Sequence, residues 1–205
     1  KRMKRLSLFM TLVAILGFAT FSNATLINNG GGLVYDTDLD ITWYIAAPVS
    51  EGTINNGSWY TVTSWVDTLT LGATEVGSWR LPTTPALEGE AYTNEGEMGH
   101  LYYDELLNSA NELGGPLANK GPFEYLIAGG YWTGTEVAGN TNYAWRFDFS
   151  KGKQYAPYTK DTVDGLAIAV HSGNIKPISA PEPATILLLG LGLVGLTRVR
   201  RKLKK

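Results

Sequence analysis

Two apolar segments edged by cations, one at each end, confine any folded domain of this chain to the residues between them. Lys1, Arg2, Lys4 and Arg5 precede an uncharged, mostly apolar stretch from Leu6 to Phe21, which closes on Ser22-Asn23-Ala24. A basic start, an apolar middle and small residues at the peptidase positions make residues 1–24 a secretory signal peptide. Cleavage by signal peptidase is expected after Ala24. At the other end Pro181-Glu182-Pro183 introduces the apolar run from Ala184 to Thr197, followed by Arg198, Arg200, Arg201, Lys202, Lys204 and Lys205. That run makes about 21 Å of helix, short of a hydrocarbon layer of about 30 Å. Val199 and the reach of the basic side chains narrow the gap. Residues 184–199 are therefore expected to form a transmembrane helix, with 200–205 a basic cytoplasmic tail.

The proline–glutamate–proline triplet, the apolar segment and the terminal basic cluster together resemble the PEP-CTERM sorting signal of Gram-negative, biofilm-forming bacteria. The resemblance implies recognition in the inner membrane by an exosortase and processing near Pro181, Glu182 and Pro183. It implies contact with that membrane at least transiently, then residence in the envelope, at the surface or outside the cell. It covers the tail and carries no information on the activity of the rest.

Between Thr25 and Pro183 seven basic residues face all nineteen acidic ones, a formal balance of −12, whereas the whole chain balances at −2. The targeting segments thus conceal a strongly acidic domain, which would repel phosphate backbones; nucleic acid is not an expected partner. Cysteine is absent, so an exported domain must hold together through its core. All six Trp and all eleven Tyr lie in this region, and most of the tryptophans are expected to be buried there.

The middle reads as one α+β domain over residues 25–175, with 176–183 a linker ending in the triplet. Asn28-Asn29-Gly30-Gly31-Gly32 is a turn-rich opening. Leu33–Tyr35 and Leu39–Ile45 read as strands around the Asp36-Thr37-Asp38 turn. A helix is expected over Ser58–Leu71, with Val62, Val66 and Leu69 on one face. Trp79 and Leu81 alternate inward from a short extended segment that Pro82 ends. A polar loop from Thr84 to Glu95 leads to a second helix over Glu97–Glu112, with Met98, Leu101 or Tyr102, Leu106 and Ala110 along its stripe. Tyr143, Trp145, Phe147 and Phe149 alternate in a strand expected to pack one face and wet the other. A turn at 150–153 leads to a strand near Gln154–Tyr158, and Leu166–His171 is the last strand.

The ordered series Leu33-Val34-Tyr35-Asp36, Leu39-Asp40-Ile41-Thr42-Trp43, Trp65, Trp79-Arg80-Leu81-Pro82-Thr83, Tyr131–Glu136 and Ala144–Phe149 with Gly152 resembles the DUF1566, or Lcl C-terminal, family. It implies a fold related to C-type-lectin and formylglycine-generating-enzyme-like domains. The family's cysteine-containing last strand has no counterpart; Ala167–His171 stands there. The resemblance implies a surface or matrix module, associated with polysaccharide or adhesion in some members.

Motifs for catalysis are thin. Asp36, Asp38 and Asp40 alternate like a calcium loop, but the positions that need glycine and glutamate hold Ile41 and Ala47. Wet strand and turn residues are the expectation there; calcium is a secondary alternative to no cofactor. Glu95, Glu97, Asp104 and Glu105 cluster around the second helix, where helix capping and solvation account for them, although paired carboxylates also serve glycoside hydrolysis. A longer-range set drawing on Glu136 or Asp148 stays open. His100 and His171 belong to no zinc motif, and nucleophile-elbow and phosphate-loop signatures are absent. Trp132 with Asn140 and Asn142 is the candidate exposed patch, since aromatic faces stack on sugars while amides bind hydroxyls. The sequence therefore points to a non-enzymatic envelope or matrix protein with a carbohydrate-binding or adhesion role and exopolysaccharide as partner. The alternatives are an extracellular hydrolase acting on polysaccharide or protein, and a structural matrix protein without ligand.

Overall fold

The computed structural model describes residues 25–46, 56–86 and 89–178. The expected signal peptide (1–24), the triplet 181–183 and the expected basic tail 200–205 lie outside the described residues. The expectation of a transmembrane helix is corrected. No helix among the described residues is long and apolar enough to cross a membrane, and residues 184–199 themselves lie outside that set.

The described residues form a compact α+β domain of two sheets and two helices. The first sheet runs β1 (Leu26–Gly30), β2 (Leu33–Asp36), β3 (Ile41–Tyr44) and, arriving from the far end of the chain, β9 (Ala169–Ser172), all antiparallel. The second has the order β4 (Asn56–Gly57), β8 (Gly165–Leu166), β5 (Gly130–Val137), β6 (Asn140–Asp148), β7 (Lys153–Thr159). Its β5–β8 pair is parallel.

The opening expected as a turn is a strand that becomes one. Gly31 and Gly32, with φ of 63° and 80°, form the two-residue loop between paired Gly30 and Leu33. Positive φ at both central positions matches the right-handed twist of the flanking strands. Leu26–Gly30 could not be read as β because Asn and Gly are poor strand formers.

Helix α1 (Trp59–Asp67) is capped by Ser58, whose Oγ accepts from the Thr61 N–H at 3.2 Å. Val62 and Val66, one turn apart, are its buried residues. It ends short of Leu71, in a turn where Thr68 Oγ1 donates to the Trp65 carbonyl. The second helix departs further from expectation. Helix α2 (Gly96–His100) passes into a single π-turn over Leu101–Glu105, closed by the Leu106 N–H on the Leu101 carbonyl. Leu107 then takes φ 52°, and the Asn108 side chain bonds the Asn119 backbone twice, donating to its carbonyl and accepting from its N–H. Met98, Leu101, Tyr102 and Leu106 are buried as the stripe requires, whereas Ala110 lies beyond the helix and is exposed.

Neighbouring side chains on a strand point to opposite faces, and here both faces meet packed layers. Val34, Tyr131, Phe147 and Val170 enter one core with Trp43, Met98, Leu101 and Phe149. Their neighbours Leu33, Trp132 and Ala169 enter a second core with Val62, Val66, Trp79 and Leu81. The half-wet strand expected over 142–149 is therefore corrected: Ala144 through Phe147 are all buried, Arg146 among them at 3% exposure. Four of the six tryptophans (Trp43, Trp79, Trp132 and Trp145) are buried.

Candidate functional site

Trp132 does not form an exposed patch. Its ring is fully buried, its Nε1–H donates to the Gly57 carbonyl at 2.9 Å, and the Arg146 guanidinium lies 4.4 Å from its ring centroid. The register explains this, because Trp132 and Arg146 are cross-strand partners on β5 and β6. Asn140 and Asn142 are exposed at the β5–β6 turn, where the Asn140 side chain accepts from the Asn142 N–H. The structure thus separates the three residues, and Trp132 joins two strands from within the core.

Most of the candidate carboxylates serve the scaffold. Glu97 takes a two-point bridge from Arg80, at 2.8 and 2.5 Å, plus the N–H and hydroxyl of Thr83. Burial alone would raise its pKa; the Arg80 and Thr83 donors outweigh that and hold it below the usual carboxylate range. Glu136 pairs with the buried Lys160, whose ammonium sits 4.0 Å from the Trp59 ring centroid. Asp148 Oδ1 accepts from the Ser150 N–H and hydroxyl.

Among the described residues, two features can act on other molecules. The first is an open groove of about 480 Å³ lined by Tyr92, Thr93, Asn94, Tyr103 and Ala110. Tyr92 projects from the loop before α2 and is 40% exposed. Tyr103 comes from the π-turn and is fixed by its hydroxyl, which donates to the Gly152 carbonyl. Burial pushes its phenol up to about 12, so it stays a neutral donor at physiological pH. Asn94 donates to both oxygens of Asp104 at 3.3 and 3.2 Å, which leaves its carbonyl for a ligand. A smaller hollow of about 270 Å³ is lined by Glu90, Lys153, Tyr155 and Tyr158 among others. Lys153, which pairs with Glu90 and faces the Tyr92 ring, lies between the two.

The second feature lies behind Asp104. Its Oδ2 is 3.2 Å from His100 Nδ1, and His100 Nε2 is 3.4 Å from Glu105 Oε1. Asp36 completes a group of three whose ligating atoms lie within 4.8 Å of one another. The expectation that Asp36 is a wet turn residue is corrected. It is fully buried, its Oδ1 caps the Asp38 and Leu39 N–H groups, and its Oδ2 accepts from Trp43 Nε1–H. Burial, with the Asp36 charge next, raises the pKa of Glu105. Among the described residues Asp36, His100 and Glu105 bring three ligating atoms close enough to hold a metal, while Asp40 accepts from the Tyr35 hydroxyl at 2.8 Å.

The groove was not legible in the sequence. Tyr92-Thr93-Asn94 reads as part of a polar loop and Tyr103 as one residue of a regular helix. An aromatic residue beside an amide in a polar stretch is the one local hint. The buried cluster has no local signal, since Asp36 and His100 come from segments far apart in the chain.

A family model described as the PEP-CTERM protein-sorting motif matches residues 179–202. The chain is thus a protein bearing a PEP-CTERM motif at its C-terminal end, the part the triplet and its apolar sequel pointed to. No curated protein and no solved structure shows a significant match to the chain. None of these findings supports the expected likeness of residues 33–173 to the DUF1566 family.

Proposed function

We propose that this chain is an exported, exosortase-processed surface or matrix protein. Its 25–175 domain binds extracellular polysaccharide without catalysing a reaction. The groove formed by Tyr92, Thr93, Asn94 and Tyr103 carries this reading. Two tyrosine rings offer apolar faces to a sugar ring, and the Asn94 carbonyl and Thr93 hydroxyl beside them suit its hydroxyl groups. An open groove suits a chain-like ligand better than a closed cavity would. The neighbouring carboxylates Glu90 and Asp148 are tied to Lys153 and Ser150, which supports binding over hydrolysis. The likeness of residues 33–173 to the Lcl C-terminal family, with its lectin-related fold, supports a surface module. The signal peptide and the PEP-CTERM motif supply the address, through signal peptidase and exosortase.

The test is binding of the full-length chain, purified in mild detergent, to exopolysaccharide from a biofilm-forming Gram-negative bacterium. Tyr92→Ala is expected to weaken binding by about threefold to tenfold, the equivalent of one aromatic contact. Asn140→Ala is expected to leave it unchanged. Absence of binding, or a loss at Asn140 with none at Tyr92, overturns the groove as the site.

A further inference from the structure

We propose that Asp36, His100 and Glu105 bind one divalent transition-metal ion, of the Mn²⁺ or Zn²⁺ class, which clasps the β2–β3 turn to the α2 segment. The inference is independent of the glycan reading.

The π-turn creates the site. In a regular α-helix, at about 100° per residue, Glu105 would point roughly 140° away from His100. The wider i→i+5 turn over Leu101–Glu105 brings it back beside His100, with Asp104 on the other flank. Single π-turns of this kind gather at functional sites. The cluster opposes β2, whose last residue is Asp36.

The donor atoms are left available for a cation. Glu105 is only 1% exposed in its side chain, yet its Oε1 has no hydrogen-bond partner, and neither has His100 Nε2. The two atoms are 3.4 Å apart, close enough for one ion to contact both. Leaving such groups bare costs about 1–3 kcal/mol each, more where they are charged. Asp36 Oδ2 accepts one bond, from Trp43, and a carboxylate oxygen has a second lone pair to give. The three ligating atoms lie within 4.8 Å of one another; bound to one ion at about 2.0–2.2 Å each they would stand roughly 3.3–3.6 Å apart, so binding draws the side chains together by up to about 1.5 Å.

The surroundings also match a metal centre. A ligating histidine is usually oriented by a carboxylate on its other nitrogen; Asp104 Oδ2 stands 3.2 Å from His100 Nδ1. A proton held there leaves the Nε2 lone pair facing Glu105. One imidazole with two carboxylates suits Mn²⁺ or Zn²⁺. Calcium, which takes six to eight oxygens, would find too few. Asp36 and Glu105 are deeply buried while His100 is 19% exposed in its side chain, so the ion has one side of entry and a largely closed shell.

The experiment strips the full-length chain with a chelator and adds Mn²⁺, Zn²⁺, Ca²⁺ or Mg²⁺ singly, following heat of binding and thermal melting. One Mn²⁺ or Zn²⁺ per chain is expected. At about a hundred times Kd the melting temperature should rise by roughly 5–10 °C, with a smaller rise for Ca²⁺ and Mg²⁺. Glu105→Gln, which keeps the buried shape, and His100→Gln should each weaken binding at least tenfold, and His171→Ala should not. If neither variant folds, pulsed EPR of Mn²⁺ on the wild type decides: coupling to one imidazole nitrogen is expected, and its absence overturns the assignment. No Mn²⁺ or Zn²⁺ effect on the wild type also overturns it, in favour of a protonated His100 between two carboxylates. So does binding that survives both ligand substitutions.

Discussion

The Arg80 guanidinium and the Glu97 carboxylate meet in a two-point bridge at 2.8 and 2.5 Å across a separation of seventeen residues. Arg80 also pairs through its backbone with Val170 of β9, and Glu97 opens α2. The bridge therefore ties the first turn of the helix that carries the groove and the acidic cluster to the edge of the first sheet. The short Trp79–Thr83 segment makes sense in this light. Trp79 and Leu81 point into the core while Arg80, between them, reaches the helix.

Stability should respond to acid through this bridge. The folded pKa of Glu97 lies below its unfolded value of about 4.3, so its contribution is complete above that pH and fades as pH falls through the folded value. Glu97→Gln should destabilise the domain by about 2 kcal/mol at pH 7, a moderate figure because Arg80 is 43% exposed and screened by solvent. The difference from wild type should shrink below about pH 4. Urea unfolding at pH 7 and pH 3 checks this; a gap constant across that range would contradict it.

Gly165 should accept no side chain. A Cβ there would lie 2.1 Å from Trp132 Nε1 and 2.4 Å from the Arg146 guanidinium, two groups packed into the second sheet. Gly165→Ala is expected to cost roughly 1–3 kcal/mol. Chemical denaturation measures it, and a neutral result would mean that Trp132 and Arg146 are free to move apart.

Asp36 has a structural duty that any bound ion shares. Three donors, two backbone N–H groups and the Trp43 indole, aim at its carboxylate. Asp36→Asn turns an amide NH₂ toward one of them and should lower stability by about 1–3 kcal/mol even with chelator present. Tryptophan fluorescence during unfolding follows the loss.

Processing should depend on the triplet. Replacing Pro181, Glu182 and Pro183 by alanine in a host that contains an exosortase is expected to leave the chain at its unprocessed mass, as read by immunoblot and intact mass spectrometry. Normal processing of the variant would remove exosortase from the proposal.

The sequence by itself determined the C-terminal sorting motif, because such a motif is read as a linear pattern of charge and apolarity. It also determined which residues share a face: Val62 with Val66, Trp79 with Leu81, Met98 with Leu106. Period alone assigns faces but not what lies against them. Tertiary structure decided that β6 is covered on both sides and that Trp132 is locked beneath Arg146. It decided too that Asp36 faces His100 and Glu105, since that meeting needs a hairpin turn and a distant helix to pack together. The π-turn was beyond local reading for the same reason. Helix propensity through Glu112 is a weak preference, and it yielded to the burial of Leu106 and the Asn108–Asn119 bonds. The address of this protein is local chemistry, whereas its groove and its acidic cluster exist only once distant segments are packed.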